Sequence, residues 1–98
     1  MPAVVFVGLG SNLAHPRRQL ARATIAITRL PGTRLLRVSH NYVSAPVGAT
    51  IPQPDYVNAA VALSTALSPR ALLRFLHGIE RRQQRRRRLL TLRVGHRL

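Results

Sequence analysis

Residues 3–9, Ala-Val-Val-Phe-Val-Gly-Leu, form a short unbroken apolar run rich in β-branched side chains, the pattern of a buried strand. Gly10-Ser11-Asn12 breaks that run. Pro16 suits a first helical position, because its missing N–H would be unpaired there anyway. Leu20, Ala23, Thr24 and Ile27 then recur at helical spacing, with Arg17, Arg18 and Arg22 outside, so a helix is predicted from Pro16 to about Arg29. Pro31-Gly32 stops it. Over 34–44 the period changes to two, with Leu36, Val38, His40 and Tyr42 on one face of a half-buried strand. Pro46, Gly48, Pro52 and Pro54 mark residues 45–55 as a loop. Residues 56–64 alternate again: Val57, Ala59, Val61 and Leu63 share one face, and Tyr56 and Asn58 begin the other. Ser68-Pro69 reads as an N-cap with proline behind it. Leu72, Leu76, Ile79 and Gln83, with Leu73 and Phe75 alongside, predict a helix to about Arg87. No sustained period follows.

The order β-α-β-β-α predicts an α+β fold, a ferredoxin-like α/β sandwich with two helices on one face of a sheet and its final strand missing. The expected boundaries are an incomplete domain over 1–88 and an irregular basic tail over 89–98. Without a last strand, one edge of the first strand would lie open at Val4–Val7, an aggregation liability.

Charge changes this picture most. All sixteen basic residues are Arg, and Asp55 and Glu80 are the only acids. Residues 81–98 hold eight Arg and no acid, so the C-terminal end attracts polyanions, nucleic acid included, without specificity. The chain has no Cys, which excludes disulfides and thiolate metal sites. No signal peptide and no membrane-spanning run is legible, so a cytoplasmic protein is expected.

Gly8-Leu9-Gly10 has Leu13 where a dinucleotide fingerprint needs its third glycine. A phosphate-binding loop would need a lysine, and the chain has none. The pair of glycines therefore reads as a tight turn feeding a helix. His15, His40, His77 and His96 lack the spacing of metal ligands on one element, and no metal-ligating residue is assigned. From these patterns alone the chain is a small basic α+β domain.

Four ordered blocks carry more. They are Val5-Phe6-Val7-Gly8-Leu9-Gly10-Ser11-Asn12-Leu13; Tyr42-Val43-Ser44-Ala45-Pro46-Val47-Gly48; Gln53-Pro54-Asp55-Tyr56-Val57-Asn58-Ala59-Ala60-Val61-Ala62-Leu63; and Ser68-Pro69 through Ile79-Glu80-Arg81. Together they resemble the N-terminal portion of the 6-hydroxymethyl-7,8-dihydropterin pyrophosphokinases, collinear over about residues 3–87. The resemblance implies transfer of pyrophosphate from ATP to a reduced pterin in folate biosynthesis, with AMP leaving. It implies a pterin-binding role for Asn58, Tyr56, Ser44, Ala45 and Val47. An amide that donates and accepts suits the ring's alternating groups, and a phenol suits its flat face. It implies nucleotide contacts at His77 and Glu80, and catalytic phosphate contacts at Arg85 and Arg87, whose guanidinium forks match phosphate oxygens.

The family holds Mg²⁺ on an Asp-Leu-Asp run beyond these blocks, and this chain carries no such run. From about residue 82 the pattern departs from the family, as a truncated or frameshifted gene would make it. The expectation is a diphosphokinase by descent, weak or inactive, a monomer acting on pterin and ATP, with Mg²⁺ expected for the family. The alternative is a small Arg-rich module that binds nucleic acid or another polyanion.

Overall fold

The computed structural model describes residues 2–12, 15–46, 48, 51–83 and 91–96. Its elements are β1 (Ala3–Ser11), α1 (Pro16–Thr28), β2 (Thr33–Val38), β3 (Tyr42–Ser44), β4 (Tyr56–Thr65), α2 (Pro69–Gln83) and β5 (Thr91–His96). The antiparallel sheet runs β2-β4-β1-β5, with β3 also pairing β4. β2 and β3 lie end to end along β4, so they count as one interrupted strand. The sheet then has the strand order of a ferredoxin-like α+β sandwich, as predicted.

The structure departs from two of these expectations. The final strand is present: β5 pairs with β1 from Val5↔His96 to Gly10↔Thr91. Residues 91–96 are therefore not an irregular tail, and β1 is a central strand rather than an open edge. The physical reason is that a ladder is made of backbone N–H and C=O groups, which an Arg-rich segment carries as well as any other. The sequence pattern reports side-chain burial, not that backbone demand.

Alternation built the core. On β1, Val5, Val7 and Leu9 are buried; on β4, Val57, Ala59, Val61 and Leu63 are. These faces meet Leu20, Ala23 and Ile27 of α1 and Leu72, Leu76 and Ile79 of α2, in one cluster. Both helices thus cover one face of the sheet. The opposite face carries Val4 and Phe6, 42% and 38% exposed, and Tyr56, Asn58, Ala60 and Ala62.

The expected strand over 34–44 behaves differently. Leu35 pairs with Leu63 and Arg37 with Ala62, so Leu36 is a bulge. A second extra residue falls between Val38↔Val61 and Tyr42↔Asn58. Each inserted residue reverses which face the next side chains take. Leu35, not Leu36, packs on the core, while Leu36, Val38 and Tyr42 are 41%, 51% and 55% exposed. Ser39 carries the ladder across the gap: its N–H donates to Ala60 O at 2.8 Å, and its hydroxyl accepts from Ala60 N–H at 2.8 Å.

Turn chemistry sets the remaining boundaries. Gly32, at φ 59°, takes the left-handed turn after α1, and its carbonyl accepts from Ala66 N–H at 2.8 Å. Ser68 caps α2, its hydroxyl accepting from Ala71 N–H at 3.1 Å. Gly78 sits inside α2 where an added Cβ would meet nothing within 4 Å. Gly78→Ala is therefore expected to stabilise the chain by roughly 1 kcal/mol, the helix-propensity difference. Urea unfolding followed by circular dichroism checks this; an unchanged or lower midpoint contradicts it. Neither described helix is long and apolar enough to cross a membrane.

Candidate functional site

The end of the sheet where β1 finishes and β4 begins gathers polar side chains on the face the helices leave open. Register places them. Gly10 of β1 pairs with Asn58 of β4, and Asn58 pairs with Tyr42 of β3. Tyr56, two residues before Asn58 on the same face, pairs with Ser44. A strand alternates sides residue by residue, so Tyr42, Ser44, Tyr56 and Asn58 share one face. Val57, between the last two, is buried in the core.

Asn58 is the hub. Its Nδ2 donates to Ser44 Oγ at 2.8 Å and to the Tyr42 carbonyl at 3.3 Å, with the Tyr56 carbonyl at 3.5 Å. The amide hydrogens are thus used by the protein. Its Oδ1 has no hydrogen-bond donor among the described residues and lies over Gly10, 3.0 Å from where a Cβ on that glycine would sit. The group presents an acceptor held in one orientation, beside a phenol ring. Such an arrangement can accept a hydrogen bond from an N–H donor brought beside the ring.

A second bond steadies the approach. Asn12, 8% exposed, donates through Nδ2 to Gln53 Oε1 at 3.1 Å and to the Pro54 carbonyl at 3.5 Å. It ties the loop before β4 to the residue that follows β1, and Tyr56 starts two residues beyond Pro54. Ser11, between Gly10 and Asn12, faces the core with its hydroxyl buried and unpartnered among the described residues.

The structure brings Ser44, Tyr56 and Asn58 together, with Ala45 next to Ser44 and exposed. His77 and Glu80 stand apart from that cluster, on α2 in the helix layer, His77 exposed and Glu80 half-buried. The last turn of α2 lies toward the same end of the molecule, however. Gln83, the last residue of α2, donates through Nε2 to Gln19 O at 3.0 Å and Gln19 Oε1 at 2.9 Å, in the first turns of α1. α1 begins shortly after β1 ends, so α2 finishes at the same end of the sheet as the polar cluster, on the opposite face. Val47, Arg85 and Arg87 lie outside the described residues. The described residues on either side of 84–90 are Gln83, bonded to Gln19, and Thr91, paired with Gly10.

Reasoning from sequence missed Gly10, Asn12, Gln53 and Tyr42. Gly8-Leu9-Gly10 was expected to make a tight turn, yet β1 continues through Ser11 and Gly10 has no positive φ. Glycine inside a strand signals close approach of another group, and that signal was available. Among the described residues no three His, Cys, Asp or Glu side chains are grouped to hold a metal ion.

The family model for 7,8-dihydro-6-hydroxymethylpterin-pyrophosphokinase matches residues 6–98, the β5 segment included. A Pseudomonas aeruginosa protein named 2-amino-4-hydroxy-6-hydroxymethyldihydropteridine pyrophosphokinase is 51% identical over 81 residues, 83% of this chain and 49% of its own length. A Haemophilus influenzae protein of the same name is 46% identical over 80 residues, 82% of this chain and 49% of its own. A Pseudomonas putida protein of that name is 47% identical over 79 residues, 80% of this chain and 63% of its own. The chain spans about half the length of the first two of these curated relatives.

Proposed function

This chain belongs to the 7,8-dihydro-6-hydroxymethylpterin-pyrophosphokinase family, and from that premise we propose that its open sheet face is the pterin-binding wall of a diphosphokinase of folate biosynthesis. The observation that carries the reading is the fixed carboxamide of Asn58, its nitrogen held by Ser44 Oγ at 2.8 Å and its oxygen left to a ligand. In this reading Asn58 Oδ1 accepts from an N–H edge of the pterin, and Tyr56 lies against the ring. Ser44 and Ala45 border the ring from the β3 side, and Val47 is assigned a pterin-binding role with them. Asn12 holds the adjoining loop through Gln53.

The reaction is transfer of the terminal diphosphate of ATP. The pterin hydroxymethyl oxygen forms a bond to Pβ and loses its proton. The bond from Pβ to the oxygen it shares with Pα breaks, and AMP leaves with that oxygen. Negative charge spreads over the phosphate oxygens as this happens, so fixed positive charge lowers the barrier. Arg85 and Arg87 are assigned that role, and His77 and Glu80 the nucleotide side. Support comes from the flanks of 84–90: Gln83 and Thr91 both sit at the end of the fold that carries Asn58. The setting this reading implies is a cytoplasmic monomer with two small substrates.

Mg²⁺ is the family's expected companion of ATP, and the residues present do not fit it. The chain contains two carboxylate side chains, Asp55 and Glu80, and no ligand cluster occurs among the described residues. Arg supplies charge but cannot coordinate a cation, so no step is assigned to the metal here. The alternative of a polyanion-binding module finds no support in the family match or in these relatives.

The test is a titration of the purified chain with 6-hydroxymethylpterin, read by the ligand's own fluorescence. Saturable one-to-one binding without nucleotide is the expected result. Its absence, in protein that unfolds cooperatively, would overturn the proposal. An accompanying assay for AMP release with Mg-ATP is expected to show little turnover, because the metal has no carboxylate cluster to hold it. Robust turnover would contradict that part.

A further inference from the structure

Gly10 is a glycine without a backbone reason. Among the described residues the positive-φ glycines are Gly32 and Gly48. Gly10 lies in β1, hydrogen-bonded into the ladder between Asn58 on one side and Thr91 on the other. At a central, extended position any L-residue is admissible, and glycine is a poor choice, since it adds flexibility to the unfolded chain and packs nothing. Some other demand therefore keeps the side chain absent.

The open face supplies it. A Cβ at Gly10 would lie 3.0 Å from Asn58 Oδ1 and 3.8 Å from Tyr56 Cδ1. The first is too close for a carbon and an oxygen, so one of them would have to move. The strand backbone is held on both sides, so the carboxamide would give way. It must give by a few tenths of an ångström, which it does by turning about its side-chain bonds. Rotation lifts Nδ2 away from Ser44 Oγ, now at 2.8 Å, and from the Tyr42 carbonyl at 3.3 Å.

We propose that Gly10 is a positioning residue of the ligand site: its missing side chain makes the recess that holds the Asn58 carboxamide with oxygen toward the ligand. The proposal rests on the pterin-wall reading for its ligand, but not for its geometry. It assigns to Gly10 selection for a ligand that offers an N–H donor at this point, since an alanine here would displace the acceptor.

The experiment compares the wild type, Gly10→Ala, Asn58→Ala and the double variant. Its first readout needs no ligand: the Asn58 side-chain amide pair in a ¹H–¹⁵N spectrum and its hydrogen exchange. In the wild type the pair is expected to be well separated and protected by Ser44. In Gly10→Ala it is expected to shift and to exchange at least several-fold faster. The second readout is affinity for 6-hydroxymethylpterin, expected to fall at least about tenfold in Gly10→Ala. In the Asn58→Ala background the added alanine has nothing to displace, so a further loss below about twofold is expected. Unchanged amide resonances in Gly10→Ala would overturn the proposal, as would an equal loss in both backgrounds. If Gly10→Ala does not fold, the double variant decides: refolding there supports a clash with Asn58, and continued failure contradicts it. Should the wild type bind no pterin, the functional reading fails, while the amide readout still settles the role of Gly10.

Discussion

Asn58→Leu is expected to weaken binding of 6-hydroxymethylpterin by roughly 30-fold, about 2 kcal/mol, because the ligand's N–H loses its acceptor and is left unpaired in the complex. Leucine keeps the volume and the strand propensity but neither donates nor accepts. It removes the hydrogen bond that Ser44 Oγ now receives from Nδ2 at 2.8 Å, and with it the acceptor above Gly10. The fold should survive, because residue 58 faces away from the core that Val57 and Ala59 enter. Calorimetric titration measures the affinity, and thermal unfolding of the same samples separates lost contact from lost fold. An Asn58→Leu chain that binds with unchanged affinity would remove this residue from the site. Asn58→Asp is a sharper version: it keeps an acceptor but places a second one 3.3 Å from the Tyr42 carbonyl, where Nδ2 now donates. It too should bind weakly.

The largest expected effect on stability comes from Leu63→Ala. Leu63 is fully buried, in β4 between β2 and β1, and its side chain belongs to the core shared with both helices. Truncation removes the transfer free energy of the lost carbons and leaves a cavity that a sheet position closes poorly. The cost should be about 3 kcal/mol. A chain of this size has a total stability of only ~5–15 kcal/mol, so that is a large share. It corresponds to a fall in melting temperature of about 15 °C. The same substitution at Val4, 42% exposed on the open face, should cost well under 1 kcal/mol. If the two variants melt alike, the assignment of the helix-covered face is wrong.

The difference between β4 and the β2–β3 strand explains how much was legible. In β4 each second residue is buried without interruption from Val57 to Thr65, so period two predicted both the strand and its faces. That is why Tyr56 and Asn58 could be placed together from sequence. In β2–β3 the same rule misassigned the core residue, because the bulge at Leu36 and the extra residue after Val38 each reverse the phase. Bulges leave no mark in hydrophobic pattern unless a glycine or proline accompanies them, and none does here. β5 was illegible for another reason. Its Arg93 and Gly95 are weak strand formers, yet β1 offered a free edge whose peptide groups required partners.

Within the candidate site the division is similar. Ser44 was reached by resemblance, and its hydrogen bond to Asn58 was not predictable from spacing, since fourteen residues separate the two. Asn12 and Gln53 are forty-one residues apart, beyond any local rule. Gly10 was visible in the sequence but read as a turn. The register of β1 on β4 turns it from a hinge into a recess.

Most directly at stake is whether a flat, polar-edged ring rests on the open sheet face between Tyr56, Asn58 and Ser44. A ¹H–¹⁵N map of the labelled chain during addition of 6-hydroxymethylpterin reads this residue by residue. The account predicts saturable shifts concentrated at the Asn58 side-chain amide, Ser44, Tyr56 and Gly10, with α1 and Leu73 to Arg74 of α2 unmoved. Shifts confined to the arginines of the helix layer, or spread evenly with no change at Asn58, would contradict it.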